Sequence, residues 1–290
     1  MVLICGIDEA GRGPVLGPLV MAGVLIEEKE EEKLRKIEVK DSKLLTKEQR
    51  EALYKKIIKI AKDYKIVTTQ PKEIDKAVNG HDGLNLNWLE AIKSADIINK
   101  LNPNKAIIDA PSSNIPAYKE YLSGFIKNKQ TKLILEHKAD LNYPVVSAAS
   151  ILAKVTRDKE IEKIKKKIKH DFGSGYPSDP KTIEFLEKNH EKHKELFRKS
   201  WMPYKNILNK KLQKRLGDFS EPIKGAENKD MAEKLKSLED LGYTFIPVKT
   251  PYESVRMKGP CTITLYKSGK LLIQGKEENK KIIERILKNV

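Results

Sequence analysis

Acidic side chains recur in this sequence where apolar runs stop. Val2-Leu-Ile-Cys-Gly-Ile-Asp8 reads as a buried strand whose end carries Asp8 and Glu9, followed by Ala10-Gly11-Arg12-Gly13-Pro14 and then Gly17-Pro18. Asp109 closes a second apolar run, Lys105-Ala-Ile-Ile-Asp109, and Asp140 stands between an expected strand and Pro144. Ligands of α/β sheets gather beyond the carboxyl ends of strands, so acids from these separate segments are expected to meet there. Neighbours on a strand point to opposite faces, but a strand terminus beside a glycine turn lets Asp8 and Glu9 lean towards one site. Two like charges about 4 Å apart repel by roughly 4 kcal/mol at an effective dielectric near 20. Divalent cations remove that repulsion, and oxygen-only donors suit magnesium or manganese. Two such ions, roughly 3.5–4 Å apart, activate a water and stabilise the leaving oxygen of a phosphodiester.

The elements that must position these acids can be read from the pattern. Glycines after a first strand suggest a dinucleotide fold, but Leu16 occupies the third glycine position and Pro14 and Pro18 oppose a helix. Leu19 to Ile26 is instead a second strand, so the pair forms a hairpin. Thr46 and Gln49 make a capping box opening a helix that runs to about Lys62. Tyr64 to Thr69 is a strand, Pro71 opens a short helix ended by Asn79-Gly80 with Gly83 beyond, and Leu84 to Lys100 is helical. Lys105 to Asp109 is a strand, Ile115 to Lys127 a helix, Thr131 to Glu136 a strand, and Pro144 to about His170 a long helix. Shorter helices follow through Leu216, and Lys205 to Leu216 carries Leu208, Leu212 and Leu216 on one stripe with cations elsewhere. This order implies an α/β fold with a mixed sheet flanked by helices.

Lysine and arginine outnumber the acids 57 to 41, giving a net charge of +16. Such an excess points to a polyanionic partner, nucleic acid first. Cys5 and Cys261 lack metal-ligand spacing and read as buried reduced thiols of a cytoplasmic protein. No signal peptide is visible and no apolar run approaches a membrane span, so no membrane partner is expected. His190 and His193 share a helical spacing but have no further ligands for zinc.

With these residues in view, the sequence resembles ribonuclease H type 2 (ribonuclease HII), its archaeal branch in particular. Asp8-Glu9-Ala10-Gly11-Arg12-Gly13-Pro14 with Gly17-Pro18 is similar to that family's opening signature, and Asp41-Ser42-Lys43 to its DSK element. Ile108-Asp109-Ala110 corresponds to the third acid. His137-Lys138-Ala139-Asp140, followed by Tyr143-Pro144-Val145-Val146-Ser147-Ala148-Ala149-Ser150-Ile151 and Ala153-Lys154, resembles the fourth-acid block. Gly173-Ser174-Gly175-Tyr176-Pro177 resembles the tyrosine loop. The elements occur in order over roughly residues 1 to 215. The resemblance implies a ribonuclease H-like fold and an endonuclease that binds RNA–DNA hybrids and ribonucleotide-containing DNA. Asp8, Glu9, Asp109 and Asp140 would be the catalytic metal ligands for two Mg2+ or Mn2+ ions. Water would attack, leaving a 3′-hydroxyl and a 5′-phosphate. Gly11-Arg12-Gly13 and Tyr176 would recognise a ribonucleotide followed by DNA, and Lys43 and Lys154 would hold phosphates. Glycines let backbone amides approach a ribose, and a tyrosine can hydrogen-bond a 2′-hydroxyl. A monomer is expected.

Gly217 to Asp230 reads as a linker, dividing a catalytic region at 1–220 from a small α+β unit at 226–290. Met231 to Leu241 is an expected helix. Cys261-Thr-Ile-Thr-Leu-Tyr-Lys267 alternates cleanly, Ser268-Gly269 turns, Lys270 to Gln274 returns, and Glu277 to Asn289 is a closing helix. Thr262, Thr264 and Tyr266 share one face, near Lys267 and Lys270. Lys258 to Gly275 resembles the TATA-binding-protein-like substrate-binding domain of ribonuclease HIII, which precedes that enzyme's catalytic domain; here it would follow. Two other classes fit part of the pattern. A two-metal resolvase acting on branched DNA would have no use for Tyr176 and Gly11-Arg12-Gly13, and a non-catalytic basic binding protein would be harmed by four acids facing phosphate.

Overall fold

The computed structural model describes residues 1–39, 45–79, 84–209 and 234–289. Asp41-Ser42-Lys43, Gly80 and Gly83, the 217–230 linker and the expected 220/226 division lie outside them. Two compact units emerge, Met1–Leu208 and Asn209–Val290.

In the first unit, β1 (Leu3–Ala10) and β2 (Leu19–Glu27) form the expected antiparallel hairpin. β3 (Asp63–Thr69) adds antiparallel to β2, while β4 (Lys105–Asp109) and β5 (Lys132–Glu136) continue parallel from β1. The order is β3-β2-β1-β4-β5, a mixed sheet of five strands. Helices α1 (Glu31–Lys36) and α2 (Lys47–Ile60) and the long α7 (Pro144–Ile168) cover one face. Helices α4 (Leu86–Leu101) and α5 (Ile115–Phe125) cover the other. Between them lie α3 (Pro71–Asn79) and α6 (Ala139–Asn142), and α8 (Pro180–Asn189) follows α7.

Local chemistry explains the boundaries. Thr46 and Gln49 form both bonds of the capping box, and α2 stops at Ile60. Asn85 caps α4 through the Trp88 amide, and Pro144 occupies the first turn of α7. Gly6 lets α7 lie directly on β1, because a Cβ there would sit 2.3 Å from the Val145 carbonyl.

One strand end departs from expectation. β1 continues through Asp8 and Glu9 to Ala10, paired with β2 throughout. Alternation therefore holds. Asp8 faces the α7 side with Ile4 and Ala10, and Glu9 faces the α4 side with Cys5 and Ile7.

In the second unit, β6 (Thr244–Phe245), β7 (Glu253–Lys258), β8 (Cys261–Tyr266) and β9 (Leu271–Gly275) form an antiparallel sheet in that order. Helix α9 (Glu277–Asn289) supplies Ile283 and Leu287 to a core with Met257, Ile263 and Leu265. The expected helix ending at Leu241 is, in its described part, a helical turn at 234–236 and a 3-10 turn at Glu239–Leu241, closed by left-handed Gly242. Strands β6 and β7 lie where no strand is expected from sequence.

Candidate metal centre

The ends of parallel β1 and β4 place Asp8 and Asp109 together, and α6 brings Asp140 to them. One carboxylate oxygen from each of these three lies within 4.8 Å of the others. Asp8 and Asp140 are buried and Asp109 is half-buried. Asp8 accepts from the Glu9 amide at 2.7 Å, and Asp109 accepts from the Ala139 amide at 3.3 Å. Ser147 donates its hydroxyl to the Asp140 carbonyl, tying α6 to the start of α7. All four expected acids line one open cavity of about 510 Å³, with Gly11, Arg12, Gly13, Lys154 and Tyr176. Glu9 reaches it from the α4 side and is not in the 4.8 Å group.

Two of these acids, Asp8 and Glu9, sit where burial penalises their ionised forms. Burial pushes the Asp8 carboxyl up to about 6, the Asp109 charge adding to the rise, while bonds from Ser150 and the Glu9 amide and the charge of Lys154 oppose it. Burial also drives Glu9 well above the carboxylate range, with Asp8, Glu90 and Asp109 contributing and Arg12 opposing. Desolvation and like charge both penalise the ionised forms. Three converging hard oxygen donors, the Asp8 carboxyl among them raised by burial and the Asp109 charge, are a donor set a divalent cation satisfies, so the residues fit magnesium or manganese.

The glycine loop beside the acids is held by three arginines, none of them named by sequence reasoning except Arg12. Arg198, fully buried, donates to the Gly11 carbonyl at 2.6 Å, the Arg12 carbonyl at 2.8 Å and the Gly17 carbonyl at 3.0 Å. In planar trans peptides the N–H points opposite to the C=O, so the Arg12 and Gly13 amides are turned away from Arg198. Gly11 has φ +86°, and a Cβ there would meet Arg157 Nε at 2.3 Å. Arg157 also lies 5.0 Å over the Tyr176 ring and donates to the Ser174 carbonyl at 3.1 Å. The Val15 amide donates to the Gly175 carbonyl at 2.9 Å, so the tyrosine loop is bonded to the glycine loop. Tyr176 remains 37% exposed on the cavity.

The Arg12 side chain is 36% exposed on the cavity, yet its guanidinium is tied inward. Its guanidinium meets Glu90 at 3.1 Å, the Asn87 side chain, and the Pro111 carbonyl at 2.9 Å. Burial pushes Glu90 up to about 7, and the Arg12 and Arg198 charges oppose the rise. Lys154 donates to the Ser150 hydroxyl at 2.9 Å at the cavity wall. His137 places Nδ1 3.1 Å from the Ala110 carbonyl oxygen, beside the Asp109 strand end. His190 and His193 pack instead into an aromatic cluster with Phe185 and Tyr204. Lys43 lies outside the described residues.

Sequence carried a signal for Glu90: it occupies the buried stripe of α4 with Ser94, Ile97 and Leu101. An acid on such a stripe needs a partner. Arg157 falls three residues after Lys154 on the same helix and was equally visible. Arg198 had no local signal, because its partners lie more than 180 residues away.

The family model described as Ribonuclease HII matches residues 5–204. A ribonuclease HII of Pyrococcus furiosus is 50% identical over 210 residues, spanning 70% of this chain and 90% of that protein. The crystal structure of the ribonuclease H2 from Pyrococcus horikoshii OT3 aligns with a TM-score of 0.66 at 43% identity, covering 72% of this chain and 98% of that one. Bst-RNase HIII in complex with Mn2+ aligns at a TM-score of 0.62 and 21% identity, over 74% of this chain and 71% of that one, a likeness of fold.

Proposed function

The chain belongs to the ribonuclease HII family, and from that premise we propose that it cleaves the RNA strand of RNA–DNA hybrids and cuts 5′ of ribonucleotides embedded in DNA, leaving 3′-hydroxyl and 5′-phosphate ends. The observation that carries this reading is the convergence of Asp8, Asp109 and Asp140 within 4.8 Å, in the same cavity as the Gly11-Arg12-Gly13 loop and Tyr176.

Asp8, Asp109 and Asp140 would hold Mg2+ or Mn2+, with Glu9 reaching the site from the α4 side. When bound, two ions would neutralise the scissile phosphate and activate the attacking water. The chain's own residues do the rest. The Arg12 and Gly13 amides, turned from the interior by Arg198, face the ribose. Tyr176, held beneath Arg157, meets the 2′-hydroxyl. Lys154 and Lys43 hold phosphates. A ribonuclease H needs no ribose 2′-hydroxyl as nucleophile in this scheme; the hydroxyl is what is recognised.

The 226–290 region acts as an additional substrate-binding domain. Supporting this, the sheet face opposite Ile263 and Leu265 carries Lys258, Thr262 and Tyr266, while Arg256 on the same face is largely buried and paired with Glu253 at 3.5 Å. Thr264 on that face is 2% exposed, beside Arg256 across the ladder, so it packs within the sheet and leaves substrate to its neighbours. The enzyme would act as a cytoplasmic monomer in ribonucleotide excision; no helix among the described residues is long and apolar enough to cross a membrane, and Cys5 and Cys261 are buried free thiols.

Incubation of a duplex containing one ribonucleotide with Mg2+ or Mn2+, beside Asp109→Asn, tests the reading. Cutting 5′ of the ribonucleotide, lost in the variant, is the expected result. Cutting of long hybrids alone would remove the role given to Tyr176.

A further inference from the structure

Arg12 is the cation within the Gly11-Arg12-Gly13 loop itself, and a phosphate would be its natural partner on an exposed loop. The geometry gives it another one. Each of its three guanidinium nitrogens faces a partner: Nη1 donates to the Pro111 carbonyl at 2.9 Å, Nη2 donates to Asn87, and Nε stands 3.1 Å from Glu90 as an ion pair without hydrogen-bond alignment. Asn87 and Glu90 stand three residues apart on α4 and so present one surface to it. The Glu90 side chain is wholly buried. A buried carboxylate is costly unless paired, and among the described residues Arg12 is its ion-pair partner. Pro111 lies two residues beyond Asp109. One side chain therefore joins the loop to α4 and to the end of the strand that carries a candidate metal ligand.

The opposite side of the same peptides is fixed independently. Arg198 takes the Gly11 and Arg12 carbonyls, which sets the peptide planes, and Gly17 and Gly175 hold the far end of the loop. Through its side chain Arg12 adds the tie to α4 and to the Pro111 carbonyl beyond the Asp109 strand end. That tie bears on the spacing between the amides that would meet the ribose and the acids that would meet the scissile phosphate.

We propose that Glu90 is a positioning residue for ribonucleotide recognition, seating Arg12 as an inward strut that registers the Gly11-Arg12-Gly13 backbone against the Asp109 strand end. Arg12 thus reads the substrate through its backbone and neutralises no phosphate. This rests on the junction-cutting reading given above.

Binding measured by fluorescence anisotropy in an Asp109→Asn background tests it, with an all-DNA duplex and the same duplex containing one ribonucleotide, across a salt series. Glu90→Gln should lower the preference for the ribonucleotide duplex by about tenfold, as expected for losing a hydrogen bond's worth of alignment, with all-DNA affinity unchanged. Arg12→Gln should lower the same preference while keeping the parental salt slope. The Arg12→Gln/Glu90→Gln double variant should melt higher than Arg12→Gln, because it removes the stranded buried charge. If Glu90→Gln does not fold, the double variant supplies the preference and slope readings. An unchanged preference in the Glu90 variant overturns the proposal. So does a slope shallower by about 0.9 in Arg12→Gln, the signature of one fewer phosphate neutralised on B-form DNA. If the Asp109→Asn parent shows no preference for the ribonucleotide, the junction reading itself falls, and this inference with it.

Discussion

Replacing Asp109 with asparagine should stabilise the metal-free protein while abolishing cleavage. The carboxylate oxygens of Asp8, Asp109 and Asp140 lie within 4.8 Å of one another. Unit charges at that separation repel by about 3 kcal/mol at an effective dielectric near 20. Asparagine keeps an oxygen for the Ala139 amide while removing the charge. The gain depends on pH with a definite sign. Asp8 rises from its ordinary 3.8 to about 6 in the folded protein, so between those values the folded state holds a proton that the unfolded chain has released. Stability of the metal-free wild type therefore falls as pH rises through that window, by about 3 kcal/mol for a shift of about 2 pH units. Burial is the larger cause of the rise, so removing the Asp109 charge relieves only a part of that loss, giving a gain of about 1 kcal/mol at pH 8 and little at pH 4.5. Urea unfolding in EDTA, followed by tryptophan fluorescence, measures it in the right place, because Trp88 and Trp201 both lie in the Met1–Leu208 unit. Manganese should reverse the ranking by stabilising the wild type selectively. A variant less stable than wild type in EDTA at pH 8, or an equal gain at both pH values, would refute like-charge repulsion between Asp8 and Asp109 in the metal-free protein.

Other perturbations follow from the same geometry. Arg198→Lys cannot reach the Gly11, Arg12 and Gly17 carbonyls together, and should cost about 3 kcal/mol in urea unfolding along with most cleavage activity. Gly11→Ala forces a side chain into φ +86° and against Arg157 and the Pro18 carbonyl; kcat should fall roughly a hundredfold through displacement of the loop, with single-turnover kinetics as the check. Tyr176→Phe keeps the ring under Arg157 and removes the hydroxyl, so the ratio of kcat/KM for ribonucleotide over deoxyribonucleotide duplex should drop about tenfold or more. Removing residues 226–290 should weaken hybrid binding and flatten its salt dependence by roughly 0.9 log units for each phosphate the domain neutralises, on the B-form scale.

The sequence made some elements legible because their signals are local. The Thr46/Gln49 capping box, the apolar run ending in Asp109 and the Pro144 start of α7 each lie within a few residues of what they specify. Asp8 and Asp109 were likewise visible as acids at the ends of apolar runs, and Asp140 as an acid between a strand and the proline that opens a helix. The extent of β1 was not, because the same acids that mark the site interrupt the apolar pattern that marks a strand. Pairing with β2 extends the strand through them, and alternation then sends Glu9 to the α4 face. Strand β7 was missed for a related reason: only Val255 and Met257 face its core among Glu253, Ser254, Arg256 and Lys258. Support for the glycine loop was the least legible part. Arg198 reaches it from the other end of the unit and Glu90 from a helix more than 75 residues away, and no local spacing encodes either interaction.

The most direct test of the central claim is anomalous diffraction from crystals of the protein soaked in Mn2+. Manganese peaks should appear bounded by the Asp8, Asp109 and Asp140 carboxylates and be absent from Asp109→Asn crystals treated alike. Active crystals with no manganese at those three side chains, or with manganese bound only elsewhere, would contradict it.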